Sequence, residues 1–514
     1  SSASSANRSC CSSFMDISPG FSAFASEYDK GRPQAVYVRL VADLETPVSV
    51  FLKLAEGKDN AFLLESVQGG EARGRYSIIG FNPDLIWRCR DGKAEVQRAD
   101  GFVADKESDA PLRSLKRHVE EARMALPAEL PPMSVGLFGY LGYDIVRQME
   151  RLPSPPPDVL KVPDAIMIRP TITAVFDNVR DAIMVVTPVW PDAKIDARTA
   201  YDRAAARLEA VVADLDRAAP SAPRSAAGLT GPTESNTSHA DYLGIVAKAK
   251  EYILAGDVFQ VVPSQRFRRK FDLPPFALYR ALRRLNPSPF LYFLKFPGFA
   301  IVGSSPEILV RLRDGRVTIR PIAGTRPRGA TPEQDKRLAD ELLGDEKERA
   351  EHLMLVDLGR NDVGRVAETG SVTVTDQFFI ERYSHVMHIV SNVEGNIRPG
   401  FDAVDALVAG FPAGTLSGAP KVRAMEIINE LEKEKRGVYA GAVGYFAANG
   451  TMDTCIVLRT AILKDGVMYV EAGGGVHPDS DPEAEFQETV NKAKALFAAA
   501  DEAVRYASMA NYRK

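Results

Sequence analysis

The stretch from residue 443 to 471 restricts the fold more than any other part of this sequence. Apolar runs at 443–448, 455–463 and 467–471 are separated by Asn449-Gly450 and Asp465-Gly466. Such pairs between strand-like runs read as type I′ turns, in which both central residues take positive φ, so consecutive antiparallel hairpins are expected. Helical patterns lie apart from them. One covers 240–255 and ends at Gly256, a C-cap residue. Another starts at Thr331-Pro332-Glu333-Gln334, read as a capping box with proline in the first turn. Asp481-Pro482 opens a last helix to about 507. Further strand-like runs fall at 35–41, 76–79, 182–186, 371–374 and 385–393, with a helical stretch at 111–124. Hairpins with helices set apart predict an α+β fold with mainly antiparallel sheets.

The chain has 514 residues, about three domain-equivalents at roughly 150 residues each. A stretch rich in Ala, Pro, Ser, Thr and Gly at 217–239 cannot bury a core and reads as a linker. It separates an N-terminal regulatory or structural part, 15–216, from a catalytic part, 240–514. Residues 1–14 are Ser-rich and acid-free, and read as a tag, a transit remnant or a mistranslated leader. Lys and Arg total 64 against 68 Asp and Glu, so no basic excess exists to bind nucleic acid through charge. No apolar run approaches the roughly 18 residues of a membrane span. Cys10, Cys11, Cys89 and Cys455 show no zinc spacing and no disulfide scaffold. The expected setting is cytoplasmic, or an organellar stroma if the tail is a transit remnant.

Two motifs carry chemistry. Glu348 and Glu351 are three apart in a helical stretch, and so are Glu485 and Glu488 on the last helix, so each pair shares a helix face. Glutamate pairs at this spacing also occur on plain solvated faces, but apolar neighbours such as Leu353 and Phe486 argue against that here. Together they would offer four hard oxygen ligands, a set suited to Mg²⁺ beside an anionic substrate. Glycine-dense turns at 321–326, 414–421 and 473–476 can present backbone N–H groups to an anion, with Arg459 and Lys492 as counter-charges. His385 and His388 lie three apart in a strand-like run, so they face opposite ways and form no metal pair. No GxSxG elbow and no nucleophilic cysteine context occurs. The residues alone imply a Mg²⁺-dependent enzyme acting on a small polycarboxylate.

PIAGTRPRG at 321–329, ERAEHLMLVDLGRND at 348–362, GTLSGAPK at 414–421, EAGGGV at 471–476 and EAEFQETVNKAKA at 483–495 resemble the chorismate-utilising enzymes. LLES at 63–66, RYSIIG at 75–80 and GYLGYD at 139–144 extend the resemblance toward the N-terminus. It implies a two-sheet fold with the active site in a cleft between the sheets. It is nearest to members that make anthranilate. Aminodeoxychorismate-forming members carry a nucleophilic lysine where Ala323 stands. Isochorismate- and salicylate-forming members carry a water-activating lysine where Gln260 stands, and glutamine cannot act as that base. Both positions imply ammonia as nucleophile, with anthranilate and pyruvate as products.

The same resemblance implies roles. Glu348, Glu351, Glu485 and Glu488 would hold Mg²⁺. Glu307 would be the acid at the departing 4-hydroxyl, with His388 and Thr415 beside the ring. Ala323, Gly324, Thr325, Tyr439, Arg459, Gly473, Gly474, Gly475 and Lys492 would bind substrate. Leu64, Glu65, Ser66, Pro289, Phe290, Leu291 and Tyr445 would line a remote tryptophan site, Glu65 helping hold the ammonium. Phe290-Leu291 departs from the commoner Tyr-Met there, which bears on the inhibitor's affinity. No glutaminase signature is present, so a separate glutamine amidotransferase subunit is implied, in a heterotetramer of two large and two small chains. The rival readings are an aminodeoxychorismate-forming enzyme and a catalytically silent amino-acid-binding subunit.

Overall fold

The computed structural model describes residues 15–68, 72–98, 101–105, 110–218, 231–383 and 386–508. The 1–14 tail, most of the proposed linker (219–230) and His385 lie outside the described residues. Among those described, 21 strands form one hydrogen-bonded network, and every pairing in it is antiparallel.

The network folds into two sheets that share a strand pair. Ala72–Arg90 pairs along most of its length with Ala165–Asp177. One end of this pair continues through Ala61–Gln68, Phe290–Phe296, Phe299–Ser305, Thr460–Lys464, Val467–Gly473 and Ser264–Lys270. The other end continues through Gly136–Leu141, Ala442–Ala447, Met452–Ile456, Ile308–Arg313, Arg316–Ile319 and Val386–Asn396. A register shift between Pro83 and Leu85 marks the change of sheet. Bulges and bends of this kind are how strands turn a corner between packed layers.

Period-two patterning explains the layering. In Phe290–Phe296, Leu291 and Phe293 face an outer core, while Tyr292, Leu294 and Phe296 face the space between the sheets. Gly136–Leu141 does the same, with Leu137 and Leu141 outward and Phe138 and Tyr140 inward. Both faces are covered, so these strands read as continuous apolar runs. Across the gap Phe62 stacks on Phe138 at 4.6 Å and Tyr140 meets Phe296 edge-on at 5.6 Å. Helices cover the outside. Phe21–Tyr28, Pro47–Leu54, Ala197–Leu215, Pro275–Leu285 and Pro482–Ser508 pack on the first sheet. Pro111–Glu121, Glu346–Gly364, Ala403–Gly410 and part of Lys421–Leu431 pack on the second.

The expected α+β, antiparallel fold is what the structure shows, with strands from both sides of the linker hydrogen-bonded in each sheet. At the linker's C-terminal end, Glu234–Ser235 already pairs with Ser264–Lys270. Three local expectations change. Asp465 and Gly466 both take positive φ, as a type I′ turn requires, but at Asn449-Gly450 only the glycine does, because a four-residue connection replaces the tight turn. Thr331 caps its helix through Gln334 N–H, yet the Gln334 side chain returns to Ala330 N–H, so the box is not reciprocal. The run 455–463 is not one strand. It breaks at 457–459, with Arg459 at φ +49°, where the chain passes from the second sheet to the first.

Phe62→Ala removes a ring from the middle of the between-sheet core. The expected cost is about 3–5 kcal/mol, read as a clear drop in the thermal midpoint by calorimetry. An unchanged midpoint would contradict this packing.

Candidate active site

The site is built where the chain crosses between the sheets. Phe299–Ser305 belongs to the first sheet and Ile308–Arg313 to the second, and Glu307 lies in the two-residue connection between them. Arg459 lies in the return connection, between Met452–Ile456 and Thr460–Lys464. The two crossings bond to each other: Ile456 N–H donates to the Glu307 carbonyl at 3.0 Å, and Ser304 N–H donates to the Arg459 carbonyl at 3.2 Å.

Glu307 is buried, and burial pushes its carboxyl up to about 8; the Thr415 hydroxyl, 3.2 Å from Oε1, and the charge of Arg459 pull the other way. Arg459 is partly buried, and desolvation draws its guanidinium below its ordinary value. His388 lies on Val386–Asn396 with Nδ1 2.9 Å from the Gly324 carbonyl and 3.2 Å from Thr325 Oγ1. A carbonyl can only accept, so Nδ1 carries the hydrogen and Nε2 the lone pair. Nε2 is buried and has no partner. Burial, helped by the charge of Arg459, brings this imidazole down to about 4. At neutral pH the seam therefore holds a protonated carboxylic acid and a neutral imidazole.

Around these groups the glycine turns are close-packed. Gly324 takes φ +68° in a bulge of Ile322–Pro327, and a Cβ there would lie 3.1 Å from Glu348 Oε2. A Cβ on Gly474 would lie 2.7 Å from Glu485 Oε2, and one on Gly475 would lie 2.4 Å from Gln260 Nε2. Buried Tyr439 is hydrogen-bonded to the backbone of Gly473. Lys492 donates to the Gly473 carbonyl at 2.9 Å and pairs with Glu488 at 2.7 Å, so it already has a counter-charge. Lys421 is bound to Asp362. Ala323 is buried beside Gly324.

The two glutamate pairs are joined through two residues that the carboxylate spacing did not reveal. Gln260 donates from Nε2 to Glu351 Oε1 at 3.1 Å and approaches His477 Nε2, also at 3.1 Å. His477 Nε2 lies 3.6 Å from Glu351 Oε2, and its charge works against the rise of Glu485. Glu485 accepts from Ser480 Oγ at 2.6 Å, while its Oε2 is buried with no partner. Burial raises Glu348 and Glu485, and each is raised further by its neighbouring carboxylate. Among the described residues no group of three or more His, Cys, Asp or Glu side chains converges tightly enough to hold a metal ion as they stand.

All seven residues expected at the remote site line one cavity of about 590 Å³ between the sheets. Glu65, however, does not project a free carboxylate into it. Arg283 holds it through two bonds at 2.6 and 2.9 Å, and Tyr279 donates a third at 2.5 Å. An ammonium role for Glu65 would compete with that buried ion pair.

An acid–base seam flanked by glutamate pairs and glycine cradles fits an enzyme acting on a small anionic substrate. The chain belongs to the chorismate binding enzyme family, whose model matches residues 59–498. Anthranilate synthase component 1 of Cereibacter sphaeroides is 58% identical over 497 residues, covering 95% of this chain and 99% of that one. The Pseudomonas putida protein of the same name is 50% identical, covering 89% and 93%. The crystal structure of anthranilate synthase component I from Streptococcus pneumoniae superposes with a TM-score of 0.73 at 40% identity, covering 82% of this chain and 92% of that one.

Turnover that needs protonated Glu307 should decline as pH rises through about 8. The test is kcat/KM across pH 6.5 to 9.5, with the concentration of each reactive substrate species held constant. Glu307→Gln should lower the rate by about 10²–10⁴-fold and abolish that alkaline limb. Wild-type activity with the limb intact in the variant would remove Glu307 from the acid role.

Proposed function

We propose that this chain is the ammonia-using component of a two-component anthranilate synthase, a lyase converting chorismate and ammonia to anthranilate and pyruvate. The observation that carries this reading is the pair of inverted protonation states, an acid at about 8 and a base at about 4, in one buried seam.

The residues act in sequence. Ammonia adds at C2 of the ring, the double bonds shift, and the C4–O bond breaks. Glu307 gives its proton to the departing hydroxyl, which leaves as water. The carboxylate left behind is stabilised by the Arg459 guanidinium and the Thr415 hydroxyl. It then takes a proton from the ammonium formed at C2. In the second stage His388 Nε2 removes the C2 hydrogen, the ring becomes aromatic, and the C3–O bond breaks to release pyruvate as its enolate, which takes up the proton from His388 Nε2. The hydrogen bond from Nδ1–H to Gly324 fixes the imidazole in the tautomer that makes Nε2 the base. Tyr439 and the N–H group of Gly475 hold the enolpyruvyl carboxylate, with Gly473 and Gly474 shaping the cradle; Gly474 N–H itself donates to the Pro263 carbonyl at 3.3 Å.

Glu348, Glu351, Glu485 and Glu488 would hold Mg²⁺. The donor set fits: all are hard oxygens, two are raised by crowding with a like charge, and Glu485 Oε2 is buried without a partner. When bound, the ion supplies a positive charge for the ring carboxylate of chorismate. A separate glutamine amidotransferase subunit supplies ammonia in a heterotetramer acting in the cytoplasm, and tryptophan bound in the between-sheet cavity inhibits turnover.

The chain mixed with chorismate, Mg²⁺ and ammonium at mildly alkaline pH should produce anthranilate fluorescence, lost with EDTA and restored by Mg²⁺. Glutamine in place of ammonium should give no product without the second subunit. Accumulated aminodeoxychorismate, isochorismate or salicylate would overturn the product assignment, and binding without turnover would make this a silent subunit.

A further inference from the structure

The between-sheet cavity and the seam share a wall. The cavity is lined by Leu64, Phe290 and Leu291, and also by Pro306, Ile322 and Tyr383. Pro306 and Ile322 immediately precede Glu307 and Ala323. Glu381 also lines the cavity, and it stands directly opposite His388 in the strand register. Opposed residues on neighbouring antiparallel strands project to the same side. The Tyr383 ring meets the His388 ring edge-on at 5.5 Å. Its hydroxyl donates to Glu381 Oε2 at 3.0 Å, and Arg320 Nη2 donates to the same oxygen at 3.1 Å. Arg320 is a cavity residue as well, and its Nε is buried with no partner.

These contacts form one short chain. It begins at the Arg320 guanidinium, whose Nη2 is bound to Glu381 while its Nε has no partner among the described residues, and ends at the ring of the base. An amino acid in the cavity brings a carboxylate, which is the group Arg320 Nε lacks. A carboxylate taken there draws Arg320 from Glu381, and the Glu381 carboxylate that anchors the Tyr383 ring against His388 is then free to shift. We infer that Arg320, Glu381 and Tyr383 are the positioning element through which an amino acid in the between-sheet cavity acts on His388. This rests on the tryptophan reading proposed above. Arg320 senses the ligand, whereas Glu381 and Tyr383, which also line the cavity, transmit its presence to His388.

Coupling between two sites is reciprocal, so substrate must weaken tryptophan binding by the factor with which tryptophan weakens substrate binding. The experiment is calorimetric titration of the full chain with tryptophan, with and without saturating chorismate and Mg²⁺, in the absence of ammonia. In the wild type, chorismate should raise the tryptophan Kd about tenfold. Tyr383→Phe keeps the ring and loses the anchor, and Glu381→Gln keeps the shape and loses the charge. In both, tryptophan alone should bind within about threefold of wild type, while the effect of chorismate falls below about threefold. A residue with only a structural role would not separate affinity from coupling in this way. Variants that bind normally and keep the tenfold effect overturn the coupling role and leave the tryptophan site standing. Loss of tryptophan binding in both makes them ligand contacts and also overturns the proposal. No binding to the wild type overturns the tryptophan reading and the coupling together.

Discussion

Where the chain passes between two apolar sheets packed face to face, every buried polar group on that path needs a partner. The two neighbouring crossings, at 306–307 and 457–459, solve this by bonding to each other. The arrangement fixes Glu307 and Arg459 in a place that water does not freely reach. It also accounts for the positive φ of Arg459, since the strand must turn sharply to change sheets. The site is thus a product of the fold's topology more than of any one loop.

Burial then sets the chemistry. A carboxyl and an imidazole exposed to water would titrate near 4 and 6.5. Here burial drives the first up and the second down, so the order of the two values is reversed. The partly buried guanidinium nearby works against the rise of Glu307 and adds to the fall of His388. One low-dielectric environment thus produces an acid and a base at once, without a dedicated charge partner for either.

Much of this was legible in the sequence. Hairpin punctuation gave the antiparallel class, and the motifs named Glu307, His388, Thr415 and Arg459 in the seam and seven of the residues around the cavity. What escaped has a common physical cause. The break at Arg459 was hidden because an apolar run buried on both faces looks the same whether or not it changes sheet. Gln260 and His477 link the glutamate pairs across more than 90 residues of chain, and pair spacing on a single helix says nothing about such neighbours. Glu65 was read correctly as a cavity residue, yet its carboxylate is spoken for by Arg283, 218 positions later. Tyr383 carries no motif at all; only the register that sets Glu381 opposite His388, and the ring contact at 5.5 Å, reveal its position.

The shared strand pair also bears on how the polypeptide comes off the ribosome. Gly136–Leu141 sits in the second sheet against Ala442–Ala447, about 300 residues downstream. At roughly 5–20 residues per second, that partner emerges some 15–60 seconds later. During this interval an apolar strand, with Phe138 and Tyr140 aimed at a core not yet made, has an open edge. Contacts this distant in sequence also close slowly once available. Nascent chains therefore pass through a long period in which the early strands depend on one another, or on chaperones, for protection against aggregation.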